Sequence, residues 1–304
     1  METSTILLVV ALIPAVVLCG YVYHKDRAEK EPVGLLLLLL GLGAFSAVPV
    51  LIVSDPVNAV IDGFFSIFGT DTGDSIKLPS FIYHIYLLCS NIIGVALLEE
   101  GFKWIFMFFP TRKNKNFDYL FDGLIYGVFV SLGFAALENI LYTFNNGIEV
   151  GIVRAFTAVP GHMFDGVIMG YYYTLWNVHN EASKLETLYA NKGIINVKTK
   201  ITGKTYLILS IVVPVLAHGV YDYLCSYPST FSTIVFFVFL AILYYTQFKR
   251  IKNLSMVDNS EIRIAASILF KKYPELPVYL EAEKQKAAEE QASQNQEVFV
   301  EENS

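Results

Sequence analysis

Glu99, Glu100 and Lys103 stand inside a long apolar run, Leu97-Leu98-Glu99-Glu100-Gly101-Phe102-Lys103-Trp104. Three later apolar runs carry comparable groups: Glu138 with Asn139, His162 with Asp165, and His218 with Asp222. Carboxylates and imidazoles together suit zinc, whose catalytic sites use three protein ligands and leave one position open. Glu138, His162 and His218 can supply such a set. A metal-free site is equally compatible, with Glu99 or Glu100 as the base that deprotonates water and a histidine or Asn139 binding the oxyanion. Local pairing explains part of the pattern. Glu99 and Lys103 are four apart, share a helix face and can neutralise each other, whereas Glu100 points about 100° away. Asn139 can serve as an interhelical hydrogen-bonding group. A single histidine in such a run reads most simply as a buried, hydrogen-bonded imidazole. Asp222 lies four residues after His218, on the same face, where it can orient the ring. Asp165 is a weaker candidate, and Asp122 reads as interfacial.

The elements that hold these groups are set by composition. Of the 304 residues, 54% are hydrophobic and 16% charged, against a charged share of about 25% in soluble domains. A membrane-crossing helix needs about 20 mostly apolar residues. Seven stretches qualify, at roughly 5–23, 33–53, 80–109, 118–144, 152–176, 205–226 and 231–248. The fold class expected is an all-α polytopic transmembrane bundle. An ionisable side chain at the bilayer centre costs about 2.5–3.5 kcal/mol on insertion scales. Spans three to six each carry such groups and spans one, two and seven carry none in their interiors, so the middle four form the site-bearing bundle. The first stretch lacks a basic n-region and a small-x-small cleavage site, which predicts a retained helix.

Lys and Arg concentrate in alternate loops: Lys25, Arg27 and Lys30; Arg112, Lys113 and Lys115; Lys184 through Lys204; and Lys249, Arg250 and Lys252. The positive-inside rule then places the N-terminus outside and the C-terminus in the cytoplasm, as expected of a multi-pass cell-membrane protein. Residues 54–79 read as an external loop whose apolar stretch Ile61–Phe68 can lie on the membrane surface. Residues 1–250 form the membrane domain and 251–304 an acidic cytoplasmic tail. Residues 260–273 have helical spacing, and the Glu-, Gln- and Ala-rich remainder is a charged helix or disordered. Cys19, Cys89 and Cys225 have no paired spacing, so neither a disulfide framework nor a zinc finger is indicated. There is no H-E-x-x-H, G-x-S-x-G or G-x-G-D motif, and no Walker A or dinucleotide loop, so no nucleotide or nucleic-acid partner is implied.

Taken in order, Glu99-Glu100-x-x-Lys103, Phe134-x-x-x-Glu138, His162-x-x-x-Gly166 and His218-x-x-x-Asp222 resemble the motifs of the PrsW family of intramembrane proteases. The opening helix, the basic-acidic turn from Tyr23 to Pro32 and the second helix are also similar, and the likeness covers roughly residues 1–250. It implies a relative of the CAAX-protease and bacteriocin-processing superfamily, cutting peptide bonds at or in the bilayer. The paired glutamates, Glu138, His162 and His218 would form its site, with Lys103, Asn139 and Asp222 in support. The substrate implied is a membrane protein, such as a membrane-anchored regulator of signalling. Two other classes compete on the residues alone. Intramembrane Glu, Lys and His also build proton- or cation-coupled transporters, although no internal repeat is present. A sensor or scaffold can use the same groups as helix glue.

Overall fold

The computed structural model describes residues 2–71, 76–256, 260–286 and 288. In chain order the elements are α1 (Glu2–Lys25), α2 (Val33–Ser66), the short strands β1 (Thr70–Asp71) and β2 (Ile76–Lys77), and α3 (Ser80–Cys89). A π-helical segment (Ser90–Ala96) joins α3 to α4 (Leu97–Thr111). Then follow α5 (Leu120–Asn146), α6 (Ile148–Phe156), α7 (Ala158–Asn191), α8 (Lys204–Ser226), α9 (Thr230–Ser255) and α10 (Glu261–Lys272). The two strands pair antiparallel, Thr70 opposite Lys77. Every other regular element among the described residues is helical, as lipid demands: backbone groups without water must be satisfied within the segment.

Among the described residues, six helical segments are long and apolar enough to cross a membrane: Ser4–Lys25, Val33–Ser66, Ser80–Thr111, Leu120–Asn146, Lys204–Ser226 and Thr230–Ser255. The chain is an integral membrane protein. α5 is the central one, because 83% of its apolar window is buried, against 28% or less in the others. Glycines place it there. A Cβ on Gly133 would lie 2.0 Å from the Leu40 carbonyl oxygen of α2, and one on Gly43 would lie 1.9 Å from the Val130 oxygen. On the other side, a Cβ on Gly127 would meet the Gly166 oxygen of α7 at 2.3 Å, and one on Gly170 the Gly123 oxygen at 2.1 Å. Small residues at helix interfaces let backbones touch, the usual device where lipid removes the hydrophobic drive.

Two expected boundaries are corrected. α2 does not stop near 53 but continues to Ser66, so 54–66 is helix and not loop. Pro49 and Pro56 are both accommodated inside the helix. The extension is held by packing. Ile61 and Phe65 are buried, and Asn58 lies so close to Gly94 that a Cβ there would sit 2.1 Å from its Oδ1. The stretch expected at 152–176 is broken at Thr157, which separates α6 from α7 with φ −122° and ψ −71°. Gly147, at φ 91°, ends α5 and turns the chain into α6, a backbone conformation glycine adopts at no steric cost.

The chain divides into two compact units, Met1–Asn177 with Lys204–Ser260, and Val178–Gly203 with Glu261 onward. The second has its own small core of Ile195, Leu269, Tyr273 and Leu276. There Glu186 accepts hydrogen bonds from Lys272 Nζ (2.5 Å), Tyr273 OH (2.8 Å) and the Ile201 amide (2.8 Å). Helical spacing over 260–273 corresponds to α10, and residues 276–286 are also helical. The tail beyond 288 lies outside the described residues, as does Asp74 of the 54–79 segment.

Candidate active site

The π-helical segment directly precedes Leu97-Leu98-Glu99-Glu100. Such segments add a residue to a turn and recur at functional sites. This one is wedged against α8, where a Cβ on Gly219 would lie 3.0 Å from Ile92 Cα. Asn91 Nδ2 donates to the Leu87 oxygen at 2.8 Å. Two turns later the acidic pair faces inward.

Lys103 is fully buried, and its ammonium organises the pair. Nζ donates to Glu100 Oε1 at 2.7 Å and to Glu99 Oε2 at 3.5 Å. The closer partner is therefore Glu100 at i−3, not Glu99 at i−4 as the spacing alone suggested; both positions share the lysine's side of the helix. Nζ also lies 3.2 Å from His162 Nδ1 and 3.9 Å from the centre of the Phe134 ring. An ammonium only donates, so His162 Nδ1 accepts, which leaves Nε2–H to donate to Glu138 Oε2 at 2.7 Å. One lysine thus fixes the tautomer of a histidine 59 residues away.

His218 enters from α8. Its Nδ1 is 2.8 Å from Glu100 Oε1 and 3.8 Å from Asp165 Oδ2, while its Nε2 is 3.2 Å from Asp222 Oδ2 and 3.8 Å from Glu99 Oε2. The two imidazoles meet edge to face, with centroids 5.2 Å apart. Every sequence-derived site residue lies in this one region, including Asn139, which donates to the Ala11 carbonyl of α1 at 2.9 Å. The structure adds two groups to the site. Asp165, a weaker candidate by its spacing, is buried beside His218. Arg154 of α6, which sequence reasoning missed, reaches back to Glu138 Oε2 at 2.7 Å and Asn139 Oδ1 at 3.2 Å, and its guanidinium lies 3.9 Å from the centre of the Tyr142 ring. A basic residue at the end of a short amphipathic helix resembles a surface charge, so only the α5–α6 turn reveals it. The signal for Asp165 was its i+3 spacing from His162.

A cavity of about 250 Å³ opens on this cluster. Glu99, Glu138, His162, Asp165, His218 and Asp222 line it, with Arg154, Tyr142 and Asn91 further along its wall. Glu100 and Lys103 do not reach it. Glu99, Glu100, His162 and His218 each offer one ligand atom, and these atoms lie within 4.8 Å of one another. Glu100 Oε2 is buried without a hydrogen-bond partner. A spare buried carboxylate oxygen within a Glu/His set of this size fits a metal such as zinc. Glu138 stands behind this set, on the far nitrogen of His162.

The family model for the PrsW family intramembrane metalloprotease matches residues 31–246. Among curated proteins, Protease PrsW of Oceanobacillus iheyensis is 31% identical over 247 residues, covering 81% of this chain and 95% of that protein. Protease PrsW of Bacillus subtilis is 30% identical over the same length and shares. Protease PrsW of Geobacillus kaustophilus is 32% identical over 211 residues, 69% of this chain and 76% of that protein. No solved structure matches the chain. With its buried glutamate–histidine cluster between apolar helices, this chain belongs to the PrsW family of intramembrane proteases.

Proposed function

We propose that the chain hydrolyses a peptide bond of a membrane-associated protein in the polar cavity, with Glu99 as the general base. The observation that carries this reading is the division of the acidic pair. Glu99 faces the cavity, whereas Glu100 and Lys103 are sealed behind it, with side-chain exposures of 10%, 0% and 0%. The Glu99 carboxylate takes a proton from water, the water oxygen adds to the scissile carbonyl carbon, and the proton passes to the departing amine nitrogen. His218, held by Glu100 at Nδ1, turns its Nε2–H from the longer Asp222 contact to the carbonyl oxygen as charge develops there. Glu138 holds His162 and is itself held by Arg154. Glu100, His162 and His218 would hold a metal, zinc by the ligand types, with the Lys103 ammonium withdrawn from the His162 Nδ1 lone pair and Glu99 left free as the base. When bound there, it would supply Lewis acidity and a more acidic water.

The same reading extends to topology. α7 joins the six apolar segments as a seventh span; its first half is buried against α5, so inward polar residues lower its hydropathy without exposing them to lipid. The alternating Lys/Arg loops support an external N-terminus and a cytoplasmic C-terminus in the cell membrane. Residues 1–250 then form the catalytic domain and 251–304 a cytoplasmic appendage, and the substrate is a membrane-anchored regulator.

Quantitative mapping of protein N-termini in cell membranes tests this without a known substrate. New termini in or beside membrane spans should appear with the wild-type chain and vanish with Glu99→Gln. Identical maps for the two, at equal amounts of folded protein, would overturn it.

A further inference from the structure

A second buried acidic group lies far from the cavity, where the α1–α2 turn meets the start of α5. Asp26, Glu31 and Asp122 are 1%, 4% and 1% exposed. Two of them, Asp26 and Asp122, have a recognisable local task for one oxygen. Asp26 Oδ2 accepts the Glu31 amide at 3.1 Å. Asp122 Oδ2 accepts the amides of Asp118 and Tyr119, at 2.9 and 2.6 Å, and so caps α5.

Capping leaves four oxygens unexplained. Asp26 Oδ1, Glu31 Oε2, Asp122 Oδ1 and Tyr126 OH are all buried with no hydrogen-bond partner. Tyr126 is fully buried, and its hydroxyl faces the Glu31 carboxyl without closing a hydrogen bond. Glu31 in turn faces Asp122. Among the described residues none of the three acids forms an ion pair. The charged and titratable groups around them are Glu29 and Lys30 from the turn, Asp118 from the approach to α5, and Tyr173 from α7. Lys30 is the one cation among these, and its ammonium donates to the Tyr23 carbonyl. α9 contributes Ser255, which donates to the Lys25 carbonyl at 2.5 Å.

Three buried carboxylates with no ion-paired cation cannot all remain ionised at small cost. Protons resolve the excess, because a protonated carboxyl gains a donor that the orphaned oxygens can accept. We propose that Glu31 and Asp122 share a proton, with Tyr126 as a further donor, and that this proton latches the α1–α2 turn to the start of α5. The ligand is a proton, and in the topology proposed above it comes from the cytoplasm. Loss of the proton sets like charges against each other and frees the turn.

Burial pushes the Glu31 carboxyl up to about 7, Tyr126 draws it down, and the charge of Asp26 pushes it further up. Burial also raises Asp26. For an acid raised in the folded state, the fold holds a proton that the unfolded chain has lost. Stability therefore falls as pH rises from the ordinary glutamate range to about 7 and is level above it.

The test uses the full chain in detergent micelles. Thermal unfolding between pH 5 and pH 8 should show the wild type losing several degrees across the window, and Glu31→Gln should flatten that slope. Hydrogen exchange at the amides of the turn, corrected for intrinsic pH dependence, should rise in the wild type above pH 7; this arm needs no variant. An unchanged slope in Glu31→Gln, or turn exchange indifferent to pH, would overturn the latch. Stabilisation of the wild type at pH 8 by millimolar Mg²⁺ or Ca²⁺, absent in Glu31→Gln, would also overturn it, by assigning the free oxygens to a cation.

Discussion

Glu138 and His162 meet at 2.7 Å, although simple counting along the spans puts Glu138 nearer the outer surface than the Glu99–Glu100 pair. The stagger is absorbed by the break at Thr157, which starts α7 afresh, and by the glycine contacts that draw α7 onto α5. His162 then reaches Glu138 with one nitrogen and Lys103 with the other. A single imidazole connects the second motif to the first.

That connection makes Lys103 structural in the first instance. Lys103→Met leaves Glu100 buried without its nearest cation, and removing one partner of a buried pair costs about 3–5 kcal/mol. Thermal unfolding in detergent should show this loss, and the double variant Lys103→Met/Glu100→Gln should recover part of it. A single variant as stable as wild type would show that the ammonium is not the pair's support.

The glycine contacts give an independent test of how the site is positioned. Gly127→Ala places a Cβ 2.3 Å from the Gly166 oxygen, so α5 and α7 must part. Overpacking of this kind costs about 1–3 kcal/mol, and proteolysis should fall with it because His162 moves away from Glu138. A Cβ on Gly101, by contrast, would meet nothing within 4 Å. Gly101→Ala should therefore leave stability unchanged or raise it by up to about 1 kcal/mol through helix propensity.

Much of this site was legible in the sequence because charge inside an apolar run is conspicuous. Glu99, Glu100, Glu138, His162 and His218 all stand out in this way, and all converge. Pairings across helices were less legible, since local periodicity says nothing about which faces meet. Spacing alone assigned Lys103 to Glu99, and the structure puts Glu100 closer. The π-helical segment has no sequence signature of its own, and the continuation of α2 past 53 rests on packing by Ile61 and Phe65 that spacing does not show. The fours of Gly123–Gly127 and Gly166–Gly170 did carry a readable small-residue pattern for the α5–α7 contact.

Arg154 supplies a prediction specific to α6. It joins Glu138, Asn139 and the Tyr142 ring, and its removal frees the short helix from α5. A charged hydrogen bond of this partly buried kind contributes about 1.5–3 kcal/mol. Arg154→Gln should lower thermal stability by that order and increase hydrogen exchange across 148–156. Arg154→Lys should restore only part, because a lysine cannot span Glu138 and Asn139 with a planar fork.

Metal content separates the two ways of activating water. Purified wild-type protein should carry about one zinc or similar ion per chain, as a single site of this ligand set requires. His162→Ala and His218→Ala should each lose it while remaining folded, whereas His84→Ala should keep it. Metal retained by both site variants would place the ion elsewhere.

In the mechanism proposed for this chain, the cavity-facing Glu99 activates the water that cuts the peptide bond. The most direct measurement is the turnover of purified wild type and Glu99→Gln on a span peptide identified by terminus mapping, in water enriched in ¹⁸O. The wild type should place one ¹⁸O in the new carboxyl group, and Glu99→Gln should lower kcat by about 10²–10⁴, the usual contribution of a positioned general base. Turnover within a few-fold of wild type in folded Glu99→Gln would contradict that role.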